Sequence, residues 1–171
     1  VRPVGGDFNG DGLTDLGLYN PENGNWEIAR SDEGRFTYVR DWLSGFGGND
    51  WITVGGDFNG DGLSDIAIYN YNNGELKVAT STRSSFQDTG PLPWLTFRDA
   101  GPDWMPISGN FDGDAFTDFG VYNWESGEVQ VALGNGSGFS EFTQWIREFG
   151  GNKHWTPVIG DFNADSLVDL C

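Results

Sequence analysis

A nine-residue loop recurs four times in this chain, and its oxygen-rich spacing constrains the fold more than any other feature. The first copy is Asp7, Phe8, Asn9, Gly10, Asp11, Gly12, Leu13, Thr14, Asp15, and the second, from Asp57 to Asp65, differs only by serine at its eighth place. The third runs from Asn110 to Asp118 and the fourth from Asp161 to Asp169. A hard cation such as Ca²⁺ takes six to eight oxygens at about 2.3–2.6 Å. Short oxygen-bearing side chains at alternate places converge on one point if the backbone curls. Asp7, Asn9 and Asp11 supply three donors, the carbonyl of Leu13 a fourth and Asp15 a fifth. The equivalent donors are Asp57, Asn59, Asp61, Leu63 and Asp65, then Asn110, Asp112, Asp114, Phe116 and Asp118, then Asp161, Asn163, Asp165, Leu167 and Asp169. Each loop supplies its own ligands.

Gly10 and Gly12 permit the left-handed backbone that the curl needs. The third loop replaces its sixth-place glycine with Ala115, and the fourth carries Ala164 and Ser166. A side chain in left-handed backbone costs roughly 1–2 kcal/mol, so these two sites are expected to be weaker or reshaped. A metal-free Asp/Asn/Gly turn is the plain alternative, since these residues favour tight turns in any case. Four copies keeping acid or amide at places one, three, five and nine favour the cation.

The loop opens like an EF-hand, but an EF-hand closes with a glutamate at its twelfth place and is flanked by helices. Here the twelfth residues are Leu18, Ile68 and Val121. The flanks, such as Trp51-Ile52-Thr53-Val54 before and Ile66-Ala67-Ile68-Tyr69 after, are β-branched and aromatic and read as strands. The loop therefore joins two strands.

The loops begin at residues 7, 57, 110 and 161. Further landmarks keep the same period. Tyr19-Asn20, Tyr69-Asn70 and Tyr122-Asn123 end the second strand, and Gly24, Gly74 and Gly127 mark the next turn. An alternating third strand follows, then Phe36, Phe86 and Phe139, then a fourth strand with Trp42, Trp94 and Trp145. Four short strands repeated about every 50 residues are the pattern of β-propeller blades. The expected architecture is all-β, with antiparallel four-stranded blades at residues 1–50, 51–103 and 104–154 and the start of a fourth at 155–171. An all-β sandwich is the alternative. No window has helical spacing.

Propellers usually carry four to eight blades, so this is expected to be a part of a larger ring, or a ring completed by self-association. Aromatics supply much of the core, with 13 Phe and 8 Trp. The formal net charge of −17 disfavours nucleic acid and anionic membranes. No apolar run is long enough for a membrane-spanning helix. A single cysteine, Cys171, makes no internal disulfide. Calcium loops of modest affinity suit the extracellular side, where calcium is abundant.

With Gly6 ahead of it and Asp15 behind, the loop resembles the calcium loop of FG-GAP/VCBS repeats, the blades of integrin α-subunits and of some fungal lectins. The resemblance extends blade by blade over the chain. It implies structural Ca²⁺ between the first two strands of each blade, held by the residues named above. Asn110 as first ligand and the lost glycines depart from that pattern.

The function expected from this reading is extracellular binding of a glycan or protein partner. An adhesive or matrix role is the alternative, and an accessory domain of a secreted enzyme the third. Sugar C–H faces stack on aromatic rings, which brings in Trp51, Trp104 and Trp155 just before each new first strand, although blade packing accounts for the same residues. Trp124 lies outside the repeat. The lone His154 has no nucleophile placed beside it by any motif, so the chain is not expected to be an enzyme.

Overall fold

The structure is a computed structural model that describes residues 2–32 and 34–171. Among these residues no helix forms. The first sheet contains β1 (Arg2–Gly6), β2 (Asp15–Asn20), β3 (Asn25–Asp32) and β4 (Arg35–Leu43), hydrogen-bonded in that order and antiparallel throughout. The second is built the same way from β5 (Trp51–Gly56), β6 (Asp65–Asn70), β7 (Glu75–Ser81) and β8 (Phe86–Asp88), with β9 (Leu95–Thr96) also paired to β7. The third contains β10 (Trp104–Gly109), β11 (Asp118–Asn123), β12 (Val129–Ala132) and β13 (Thr143–Ile146). A two-stranded fourth sheet pairs β14 (Ile159–Gly160) with β15 (Asp169–Leu170).

The turns explain this regularity. After each second strand the glycine takes a left-handed conformation, with φ of 70° at Gly24, 76° at Gly74 and 75° at Gly127. Each of these glycines donates its N–H to the carbonyl of the asparagine four residues earlier at 2.8 Å. The second sheet departs from the expected four strands. Its outer strand is broken at Gly90-Pro91-Leu92-Pro93, where two residues lack an N–H for the ladder, so β8 and β9 share β7 between them.

Successive first strands lie side by side, β1 against β5, β5 against β10 and β10 against β14. They border a cavity of ≈ 330 Å³ whose lining includes Val4, Val54, Ile107 and Ile159. The sheets radiate from this line as three blades and the opening of a fourth, and none closes the ring. This is a partial β-propeller.

The apolar core lies between sheets. One cluster joins Phe8, Tyr19, Trp26, Ile28 and Trp42 of the first sheet to Ile66, Ile68 and Phe86 of the second. Another joins Phe58, Tyr69 and Leu76 to Phe119 and Val121 of the third. β6 and β11 have sheets on both sides and are buried over their first five residues, whereas β2 alternates. Phe86 sits edge-on to Phe8 at 5.3 Å between ring centroids and 5.1 Å from Trp42. Phe139 stands 6.1 Å from Phe58 and 6.0 Å from Trp94 in the next seam. Their counterpart in the first sheet, Phe36, is 60% exposed.

Candidate functional site

Each loop spans the first and second strands of its blade, and the first two loops have the same geometry. Asp7 Oδ1 accepts from the N–H of Gly10 at 2.7 Å and of Asp11 at 3.2 Å, and its Oδ2 from Gly12 at 2.8 Å. Asn9 Oδ1 accepts from Asp11 N–H and Asp11 Oδ1 from Leu13 N–H, both at 2.9 Å. Asp57 repeats the first three bonds at 2.7, 3.1 and 2.8 Å, with Asn59 and Asp61 placed as in the first loop. Gly10, Gly12, Gly60 and Gly62 all hold positive φ, from 76° to 84°, a conformation that glycine adopts without penalty.

The ninth-place aspartates of the first three loops are buried and each joins two parts of its blade. Asp15 Oδ2 accepts from Phe8 N–H at 3.1 Å, and its Oδ1 from Ser31 N–H at 2.8 Å. Asp65 ties Phe58 to Ser81, and Asp118 ties Phe111 to Gly134, in the same way. One carboxylate thus locks the loop to the end of the third strand. Burial pushes the carboxyls of Asp15, Asp65 and Asp118 up, Asp65 to about 7. The N–H donors oppose the shift, and the neighbouring loop carboxylates add to it. The partners Ser31, Ser81 and Gly134 were not singled out by sequence reasoning, although each follows its aspartate by 16 residues.

The two divergent loops differ from each other. The fourth keeps the left-handed curl despite its side chains, with φ of 64° at Ala164 and 73° at Ser166. Asp161 accepts from the N–H groups of Ala164, Asp165 and Ser166 as Asp7 does from its own loop. The third is reshaped. Asn110 has one oxygen, which accepts from Gly113 at 2.7 Å, and its amide nitrogen donates to the carbonyl of Asp114 at 2.6 Å. Ala115 is not among the residues of positive φ.

The chemistry of the donor set fits a hard cation. Loops one, two and four each offer three carboxylates, an amide oxygen and a main-chain carbonyl. The two ion pairs among the described residues, Arg35–Asp32 and Lys153–Glu125, involve no loop carboxylate. Asn9 instead turns its amide nitrogen onto Asp11 Oδ2 at 2.9 Å. Among the described residues no three His, Cys, Asp or Glu side chains are gathered closely enough to form a finished metal cage.

The three tryptophans ahead of the first strands have different surroundings. Trp104 is 8% exposed and packs on Phe97 at 4.9 Å between centroids, leaving almost no face for a ligand. Trp51 is half-buried, with the Lys77 ammonium 5.7 Å from its ring centre. Trp155 is 64% exposed. Trp124 is at the surface and donates from its indole nitrogen to Asp103 at 2.7 Å. His154 is exposed. Between the second and third blades lies a cleft of ≈ 230 Å³ with Phe97, Phe139 and Phe142 among its apolar lining and Arg98, Asp99 and Glu141 among its polar groups.

The fold and loops define a β-propeller built of loop-bearing blades. Residues 7–68, from the first loop through the second, match the family model of the FG-GAP-like repeat. No curated protein matches the chain. Among solved structures the chain is similar to a lectin from Agrocybe aegerita, whose structure is described as the basis of specific recognition of non-reducing terminal N-acetylglucosamine. The TM-score is 0.71 and the identity 21%, over 99% of this chain and 45% of the lectin chain. It is also similar to the Tc holotoxin pore of Photorhabdus luminescens, with a TM-score of 0.65 and 16% identity, over 99% of this chain and 8% of that one. The chain thus spans under half the length of either, and at these identities the likeness concerns the fold.

Proposed function

We propose that this chain forms calcium-stabilised propeller blades that present a glycan-binding surface outside the cell. The observation that carries the calcium part is the pair of geometrically equivalent loops, each with three carboxylates that form no ion pair among the described residues. Ca²⁺ tolerates irregular oxygen shells, and each loop would supply it through its first, third, fifth and ninth side chains and seventh carbonyl. The ion would offset the cost of burying Asp15, Asp65 and Asp118.

Glycan recognition is supported by the inter-blade cleft with phenylalanines among its lining and Arg98, Asp99 and Glu141 among its polar groups. Such a mixture of apolar lining and convergent polar groups is the usual make-up of a small-ligand site. The likeness to a sugar-binding lectin supports the same reading. The proposed role is binding, without catalysis.

A second reading, an adhesive or matrix component, draws on the nine-residue outer strand β4, where Phe36 and Tyr38 are 60% and 49% exposed. Glycan-array binding with and without calcium, alongside calorimetry and sedimentation, separates the two. Saturable binding to a defined sugar, lost in Phe142→Ala, supports the lectin reading. Calcium-dependent self-association without sugar binding supports the scaffold. Calorimetry without calcium uptake by the folded protein rejects the metal assignment.

A further inference from the structure

Gly6, Gly56 and Gly109 each stand immediately before a loop. None is among the glycines of positive φ, so the backbone there would accept any residue. The neighbouring blade would not. A Cβ built on Gly56 would lie 2.6 Å from Thr117 Oγ1 and 2.8 Å from Thr117 Cβ. On Gly6 it would lie 2.5 Å from Ser64 Cβ, and on Gly109 2.7 Å from Val168 Cγ1. Ser64, Thr117 and Val168 are the eighth residues of the following loops. Each also donates its N–H to the carbonyl of the first residue of the preceding loop: Ser64 to Asp7 at 2.8 Å, Thr117 to Asp57 at 2.7 Å and Val168 to Asn110 at 2.9 Å. The seventh residue adds a third contact. Leu63 covers Gly10 together with the Arg83 guanidinium, which donates to the Asn9 carbonyl at 3.4 Å, Phe116 covers Gly60 and Leu167 approaches Gly113.

We infer that these contacts form a directional joint, in which the seventh and eighth residues of one blade's loop hold the preceding loop in shape. The loops are then a connected row. The joint depends on the side chain of the eighth residue lying against the backbone of the preceding blade, which only a glycine allows at the receiving side. This inference stands on the fold and does not require the calcium reading.

The test is a double-mutant cycle on Gly56 and Thr117, read in calcium-free buffer by thermal unfolding and by hydrogen exchange of the Gly60, Asp61 and Gly62 amides. Gly56→Ala in the otherwise unchanged chain is expected to lower Tm and to speed exchange in the second loop about fivefold or more. In a Thr117→Gly background, where the obstructing atoms are gone, the same Gly56→Ala change is expected to have little effect. If Gly56→Ala alone does not fold, folding of the double variant supports the joint and its failure to fold overturns it. Gly160→Ala is the control, because the nearest atom to its Cβ is 3.4 Å away on the Phe162 ring. Equal effects of Gly56→Ala in both backgrounds, or exchange unchanged in the second loop, would overturn the inference.

Discussion

Tyr19 and Tyr69 occupy the same place in consecutive blades, yet only Tyr19 has a partner for its hydroxyl. Tyr19 Oη donates to the Gly48 carbonyl at 2.8 Å and accepts from the Gly48 N–H. Tyr122, the third equivalent, is bonded to Phe149 and Gly151. The Tyr69 hydroxyl is buried without a partner among the described residues. The loop that would supply one runs through Gly101-Pro102, two residues longer between its phenylalanine and tryptophan than the Phe46–Trp51 loop of the first blade.

A buried hydroxyl without a partner carries its desolvation cost and returns nothing. Tyr69→Phe is therefore expected to leave stability unchanged or raise it by up to about 1 kcal/mol. Tyr19→Phe leaves the Gly48 carbonyl and N–H without their partner and is expected to cost about 1–3 kcal/mol. Urea unfolding of the two variants decides the matter, and equal losses would contradict this account.

Alkaline pH acts through the same residue. Burial pushes the Tyr69 phenol up to about 12, against about 10 in an unfolded chain. The fold prefers the neutral phenol, so this contribution is intact below pH about 10 and is lost as the pH rises through about 12. Urea midpoints measured between pH 9 and 12 should fall more steeply for the wild type than for Tyr69→Phe. Parallel curves would remove Tyr69 from the alkaline transition.

The fourth loop holds Ser166 at a φ of 73° and Ala164 at 64°. Left-handed backbone costs a non-glycine residue about 1–2 kcal/mol, less the entropy that a glycine adds to the unfolded chain. Ser166→Gly should stabilise by a few tenths to about 1 kcal/mol, whereas Ala115→Gly in the reshaped third loop should not. Thermal unfolding of both variants is the measurement.

Phe86 and Phe36 occupy equivalent places, one in the seam between sheets and the other at the surface. Phe86→Ala should cost about 3–5 kcal/mol, as a large aromatic removed from a packed core does. Phe36→Ala should stay within about 0.5 kcal/mol. A comparable loss at both sites would mean that Phe36 is covered in solution.

Under the calcium proposal, a ligand present at a hundredfold its Kd stabilises by about 2.7 kcal/mol per site. A chelator should then lower Tm by about 20 °C or more if several loops are filled. Magnesium should rescue poorly because it demands a tighter octahedral shell. Superimposed melting curves in calcium, magnesium and chelator would reduce the loops to turns.

The blade pattern was legible because it repeats, and the repeat carried strand order and turn glycines, whereas the pairing of Trp42 with Phe86 and of Trp94 with Phe139 across the seams came only from the structure. The curl of the first two loops was legible from the spacing of their Asp, Asn and Gly residues, while ligation by their oxygens belongs to the calcium proposal. The bond by which Asp15 ties the loop to Ser31 was not legible, since nothing local marks a carboxylate as a backbone acceptor. The reason for Gly56 was hidden for a related cause. It lies 61 residues away, at Thr117, and a local reading of glycine attends to φ. Trp104 and Trp155 hold equivalent places in the sequence, and the packing of Trp104 in the apolar cluster with Phe97, against the exposure of Trp155, is seen only in the structure.

Placing the apolar mass in the seams has a mechanical consequence. Each sheet is held within itself by ladder hydrogen bonds, while its grip on the next depends on interleaved rings and on the loop contacts. A tension applied between the two ends would load the seams in series. The chain should therefore yield blade by blade, and a blade cut out of its row would leave in water the apolar face that its neighbour covers.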